Sequence, residues 1–213
     1  GTSPFDHFVY VIAGDGDMQE GVTAEAASLA GHQKLGNLVV IYDSNQISIE
    51  DDTDISFTES VNDRYQAYGW HTQTVDWKKT GNYVEDVAEL YAAIERAKAE
   101  TDKPSLIILR TIIGWPSPKK QNSGKIHGAA LGAEELAGLK SALGFDPEKT
   151  FDVAPEVIAH TRGFQKHADQ VRAQWQASFD AWASENADAK KLLDRVVSGK
   201  APAELESALP KFD

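Results

Sequence analysis

Asp15 and Asn45 are the side chains whose type and placement point most directly to chemistry. Asp15 stands in Gly14-Asp15-Gly16, just after the apolar run His7–Ala13 (HFVYVIA). Asn45 stands in Ser44-Asn45, just after a second apolar run, Asn37–Asp43 (NLVVIYD). A carboxylate and an amide are hard oxygen donors, and no His or Cys accompanies them. Such a pair suits Mg²⁺ or Ca²⁺, and Mg²⁺ takes few protein ligands and fills its shell with phosphate oxygens and water. Gly14 and Gly16 lack Cβ, so the backbone can turn sharply and come close to a phosphate. The helix-like segment that follows would aim its N-terminal N–H groups at the same place. The constellation reads as a clamp for a divalent cation and a diphosphate.

The elements around these residues must bring them together. Strand-like runs are expected at Phe8–Ala13, Leu38–Asp43, Trp70–Val75 and Ser105–Ile112, and the first, second and fourth are near-continuous apolar runs, as buried parallel strands require. A parallel βαβ unit puts both strand ends on one edge of the sheet, where open α/β sheets bind their ligands. Helices are expected at Thr23–Leu35, stopping at Gly36, at Ser60–Tyr68, and from a capping box of Asn82 with Glu85 up to Lys103-Pro104. Leu136, Leu139 and Leu143 mark a further short helix closed by Gly144. From Pro155 the texture changes: Phe164, Val171, Trp175, Phe179 and Trp182 recur at helical intervals, a stripe expected to serve packing against the α/β body. The fold class expected is α/β, a parallel sheet with flanking helices over residues 1–150, a C-terminal helical extension over 151–199 and a departing linker at 200–213.

Two other readings compete for the first motif. A GDG triplet alone is usually a turn. An EF-hand loop would use Asp15, Asp17 and Gln19 at its positions 1, 3 and 5, but it has Glu20 where Gly is needed and Ala26 where Glu is needed.

In combination these residues resemble a known family. GDG followed by Asn45 after 28 intervening residues (17–44) resembles the thiamin diphosphate-binding motif, and the wording GDGDMQEGVTAEAASLAG with KLGNLVVIYDSNQISIE resembles transketolase. AYGWHT (67–72) and TIIGWPSPKKQNSGKIHGAALG (111–132) agree with it. The resemblance implies transfer of a two-carbon ketol unit from a ketose phosphate to an aldose phosphate, with thiamin diphosphate and Mg²⁺ or another divalent cation as cofactors. It implies a cation held by Asp15, Asn45 and the backbone carbonyl of Ile47, and a cofactor site formed by Gly14, Asp15, Gly16, Asn45, Ile49, Ile113 and His127. Ile49 and Ile113 would pack on the thiazolium ring. His127 would approach the diphosphate and the substrate hydroxyls. A second histidine found upstream in this loop of many transketolases is replaced by Gly124. Glu20, assigned a catalytic role alongside His127, and Glu25 match family acids at a homodimer interface near the cofactor. The pattern covers the second half of a diphosphate-binding domain, so the 213 residues are expected to be a fragment, inactive alone, with other domains supplied from elsewhere. Alternatives are another thiamin diphosphate enzyme such as a deoxyxylulose-phosphate synthase, a Mg²⁺-dependent phosphohydrolase using Asp15 or Asp17, or a non-catalytic remnant.

Charge and composition bound these readings. The net charge of −12 argues against nucleic acid or an anionic membrane as partner. Lys119-Lys120 is a local basic spot that could receive sugar phosphates. Cysteine is absent, so no disulfide or thiol chemistry is available. No apolar stretch approaches the roughly 18 residues that span a bilayer, and no signal peptide is visible. A cytoplasmic enzyme is expected.

Overall fold

The computed structural model describes residues 3–49 and 51–210. Phe8–Phe151 form one compact unit, and the segments Gly1–His7 and Asp152–Asp213 form another. The first unit holds a four-stranded, wholly parallel sheet of β1 (Val9–Gly14), β2 (Leu38–Ser44), β3 (His71–Asp76) and β4 (Ser105–Arg110), in the spatial order β1-β2-β4-β3. Between the strands run α1 (Asp15–Gln19), α2 (Gly21–His32), α3 (Val61–Ala67) and α4 (Val87–Ala99), and α5 (Ala133–Ala142) follows β4.

The two-residue alternation of strand side chains splits the core in two. Val40, Tyr42, Leu106 and Ile108 face one side, where Met18 of α1, Ala27 and Ala30 of α2, and Val61 and Tyr65 of α3 cover them. Val39, Ile107 and Leu109 face the other, where Ala93 and Ala97 of α4 cover them. The small residues of α2 allow close approach: a Cβ on Gly31 would lie 1.9 Å from the Tyr68 carbonyl oxygen.

Several sequence expectations need correction. β1 is apolar but largely exposed among the described residues; Ile12 is 80% exposed and Tyr10 50%. The segment after GDG is two helices, since Glu20 adopts an extended backbone (φ −67°, ψ 134°) between them. α2 ends at His32, and the left-handed residue past its end is Lys34 (φ 54°), not Gly36. The Lys34 N–H reaches the Gly31 carbonyl and the Leu35 N–H the Ala30 carbonyl, the Schellman pattern. Gly36 is small for a different reason: a Cβ there would meet the Thr101 carbonyl oxygen at 2.1 Å. α4 is capped not by Asn82 but by Asp86, whose carboxylate accepts from the Glu89 N–H at 2.9 Å, and it stops at Ala99. Gly144 does take the left-handed position (φ 79°) beyond α5.

The second unit contains α6 (Pro155–Glu185), α7 (Ala187–Val197) and α8 (Leu205–Ala208). Its aromatic stripe closes on the N-terminal segment. Phe5 meets Trp182 edge-on at 4.8 Å between ring centroids and Phe179 at 6.4 Å, and Trp175 Nε1 donates to the Pro4 carbonyl at 2.8 Å. The expected linker at 200–213 contains the single turn of α8, and its last three residues lie outside the described residues. Among the described residues no helix is long and apolar enough to cross a membrane.

Glycine at 31 is a packing requirement, whereas Gly163 in α6 has nothing within 4 Å of a Cβ. Gly31→Ala should lower stability by about 1–3 kcal/mol, and Gly163→Ala should raise it by about 0.5–1 kcal/mol. Thermal unfolding of the two variants in the full-length protein checks the opposite signs.

Candidate functional site

The register of the sheet sets the site. β1 and β2 pair so that Gly14 lies opposite Asp43, and β2 and β4 pair so that Ser44 lies opposite Arg110. Three chain exits therefore leave the same edge side by side: Asp15 from β1, Asn45 from β2 and Thr111 from β4. The Thr111 N–H continues the ladder by donating to the Ser44 carbonyl at 3.2 Å.

Asp15 is the centre of the arrangement. Its side chain is 4% exposed. Oδ1 accepts from the Tyr42 hydroxyl at 2.6 Å, and Oδ2 accepts from the N–H groups of Asn45 at 3.1 Å and Gln46 at 2.9 Å. Two consecutive N–H groups converge on this one oxygen, and Gln46 itself adopts a left-handed backbone (φ 65°). Outside Gly such a conformation is uncommon, and its occurrence at a ligand-facing turn is typical of functional sites. Burial pushes the Asp15 carboxyl up from the usual range, the three hydrogen bonds oppose that rise, and the neighbouring Asp43 charge adds to it. Burial and the Asp15 hydrogen bond together push the Tyr42 phenol strongly up, so it stays a donor.

Asn45, 8% exposed, is fixed at both ends of its amide. Oδ1 accepts from the Ile47 N–H at 3.0 Å, and Nδ2 donates to Asp43 Oδ2 at 3.4 Å. The other Asp43 oxygen accepts from the Thr111 hydroxyl. No Lys, Arg or His ion pair reaches Asp15 or Asp43 among the described residues. Two neighbouring carboxylates, one of them buried, thus lack a positive counter-charge. An amide oxygen and a backbone turn lie beside them. That donor set fits a hard divalent cation. No group of three or more His, Cys, Asp or Glu side chains converges among the described residues, so any cation here would complete its shell from other oxygens.

A cleft of about 730 Å³ opens at this edge, within the size range of ligand pockets. Gly14, Asp15, Gly16, Glu20, Asn45, Ile47, Ile49, Ile113 and His127 all line it. Glu25 does not; it lies on the exposed side of α2 near Leu29 and His32. Ile49 is 73% exposed, an apolar side chain presented to the cleft rather than to the core. His127 is exposed and terminates a one-turn 3-10 helix, Gly124–Ile126. The basic spot at 119–120 is engaged within the protein: Lys120 Nζ donates to the carbonyls of Ala130 and Leu131, and Lys119 Nζ pairs with Glu134.

Comparison with known proteins places this chain in a family. The family model described as "Transketolase, thiamine diphosphate binding domain" matches residues 1–202. The chain belongs to the transketolase family. Curated transketolases of Mycobacterium bovis and Mycobacterium leprae are 51% and 52% identical over 213 residues, all of this chain and 30% of theirs. The solved transketolase of Leishmania mexicana matches with a TM-score of 0.86 at 37% identity, over 99% of this chain and 30% of that one. The chain thus spans about a third of the length of the transketolases it matches.

Sequence reasoning singled out the Asp15 and Asn45 side chains but missed what holds them. Tyr42 read as one more residue of an apolar strand, although its hydroxyl is a polar tip on that face. Gln46 gave no signal, because a left-handed backbone at a non-glycine residue leaves no mark in composition. Tyr42→Phe removes a hydrogen bond to a buried charged acceptor and should cost about 1.5–3 kcal/mol. Urea unfolding of the full-length protein without divalent cation measures it, and an unchanged midpoint would show that the hydroxyl contributes nothing.

Proposed function

We propose that the cleft binds thiamin diphosphate through a divalent cation, and that the full-length protein transfers a two-carbon ketol unit between sugar phosphates. The observation that carries this reading is the meeting of Asp15 and Asn45, from two different strand ends, in one cleft with Ile49, Ile113 and His127. A transketolase of Pichia stipitis, 39% identical over 97% of this chain with a TM-score of 0.83, has been solved in complex with sedoheptulose-7-phosphate, which supports sugar phosphates as substrates.

Each residue has a definable task. Asp15, Asn45 and the Ile47 carbonyl would hold the cation, Mg²⁺ or Ca²⁺, and with it the diphosphate. Gly16 leaves room for phosphate oxygens, since nothing lies within 4 Å of a Cβ there. Ile49 and Ile113 form an apolar wall that excludes water from the ring end of the cofactor. His127 stands where it can donate a hydrogen bond to a phosphate or exchange a proton with a substrate hydroxyl. Glu20, exposed at the cleft margin, would complete the site together with a second subunit. The exposed Val22 (68%) and Leu29 (59%) on α2, beside Glu25, supply the apolar surface such a homodimer would bury. When bound, thiamin diphosphate supplies the electron sink that carbon–carbon cleavage needs. A cytoplasmic location is part of the same reading.

The phosphohydrolase reading fits the geometry less well. Hydrogen bonds from Tyr42, Asn45 and Gln46 fix both Asp15 oxygens in place, which suits a fixed ligand better than a nucleophile that must move onto phosphorus. Asp17 is held by the Gly14 N–H at 2.8 Å.

Ketol transfer by the full-length protein, assayed with and without thiamin diphosphate and Mg²⁺, should require both. Activity independent of thiamin diphosphate would overturn the reading. Asp15→Asn should weaken cation-dependent cofactor binding by about a hundredfold, as measured by calorimetry. The pH dependence has a defined sign. Without cation, the native Asp15 carboxyl holds its proton more tightly than the unfolded chain does, so stability falls as pH rises from the ordinary aspartate value through the raised native one. Cation competes with that proton, so the stabilisation by Mg²⁺ should grow across the same window. Melting temperatures against pH, with and without Mg²⁺, should show this growth in the wild type and none in Asp15→Asn.

A further inference from the structure

Glu135 lies in the first turn of α5, outside the cleft, yet its side chain is 6% exposed. One oxygen, Oε1, gathers three donors: the Ser117 hydroxyl, the Lys119 N–H at 2.8 Å and the Lys120 N–H at 3.1 Å. All three come from the outgoing arm of the loop that leaves β4 and carries Ile113 and His127. These hydrogen bonds, the Ser117 hydroxyl first, hold the Glu135 carboxyl below the usual range, so it is ionised at neutral pH. A carboxylate drawn out of water and given no competing task is a structural anchor for whatever donates to it.

From this anchor the hydrogen bonds run through the loop to the cleft. Lys120, fixed by its N–H, sends its ammonium to the carbonyls of Ala130 (3.2 Å) and Leu131 (2.7 Å) on the returning arm. The Lys120 carbonyl accepts from the Ser123 hydroxyl at 2.7 Å, and the Asn122 N–H donates to the Ile113 carbonyl at 2.9 Å. Ser123 opens the 3-10 turn that ends at His127. Ile126 of that turn lies so close to Gly114 that a Cβ there would be 2.0 Å from its Cδ1. α5 itself is pressed onto the outgoing arm, where a Cβ on Gly138 would be 2.9 Å from Pro118 Cγ. Both cleft-lining residues of the loop, Ile113 and His127, are therefore tied to segments whose position Glu135 sets.

We propose that Glu135 is a positioning residue: by fixing Ser117, Lys119 and Lys120 it holds His127 and Ile113 at the cleft. The proposal rests on the reading of that cleft as the thiamin diphosphate site. It assigns Glu135 no contact with cofactor or substrate, so its effect must pass through the loop.

The test is a double-mutant cycle on the full-length holoenzyme. Glu135→Ala should lower kcat about tenfold or more, because displacement of a reacting group by an ångström is enough to cost that much. Glu135→Gln keeps an oxygen that can accept the three donors and should stay within about threefold of wild type by the same argument. His127→Ala should cost far less in the Glu135→Ala background than in the wild type, since the loop then no longer presents the imidazole. A general loss of stability would instead leave the two losses additive in kcat. Ser117→Ala, a smaller change at the same anchor, serves if Glu135→Ala does not fold and should give the same non-additivity with His127→Ala. Wild-type kinetics for Glu135→Ala, or additive losses for either pair, overturn the proposal. Wild-type protein that neither binds thiamin diphosphate nor transfers a ketol unit overturns the site reading itself, and this proposal with it.

Discussion

A carboxylate cannot be taken out of water without compensation, and at Asp15 the compensation organises everything around it. Removing the charge from solvent costs several kcal/mol. A hydrogen bond to a charged group returns about 1.5–3 kcal/mol, and Asp15 receives three. The balance still leaves the carboxyl raised, with a second carboxylate, Asp43, nearby and, among the described residues, no basic partner for either. The sheet, the left-handed turn at Gln46 and the phenol of Tyr42 are all spent on holding a negative charge where it is unstable by itself. A divalent cation bound there would resolve that instability, and the family's thiamine diphosphate binding domain would give such a cation a companion in a diphosphate.

Parallel topology makes this economical. Because β1, β2 and β4 lie side by side and end at one edge, three short exits supply the carboxylate, the amide and the long loop of the cleft. Each exit is pinned by a contact to its neighbour: Asp15 to the backbone after β2, Asp43 to Thr111 after β4, and the β4 loop to α5 through Glu135. Rigidity at the floor of the cleft comes from these cross-links between strand ends. Among the described residues, His127 and Ile49 carry no such pins on their side chains; both are exposed and line the cleft.

What the sequence made legible follows from the kind of force involved. Burial in a parallel sheet leaves a continuous apolar run, so the strands could be read to within one or two residues. What packs over a strand leaves no such mark, which is why β1 reads as buried although Ile12 is 80% exposed in this chain. Glycine signals space or a left-handed turn without saying which. At Gly144 it was the turn; at Gly36 it was the approach of Thr101, with Lys34 taking the turn instead. Capping is set by the last side chain able to reach back, so Asp86 displaced Asn82. In the site, ligand-type residues were visible because their chemistry is in their side chains. Tyr42, Gln46 and Glu135 were not, because each acts through a hydrogen bond to a residue distant in sequence or through a backbone angle.

On the proposed reading, the ends of β1 and β2 grip one cation. A crystal structure of the full-length protein soaked with Mn²⁺ and thiamin diphosphate, with anomalous data collected at the manganese edge, addresses it directly. A single strong peak should appear in the cleft, within coordination distance of an Asp15 carboxylate oxygen and the Asn45 amide oxygen and next to the diphosphate. A peak elsewhere, or bound thiamin diphosphate with no metal between it and these two side chains, would contradict it.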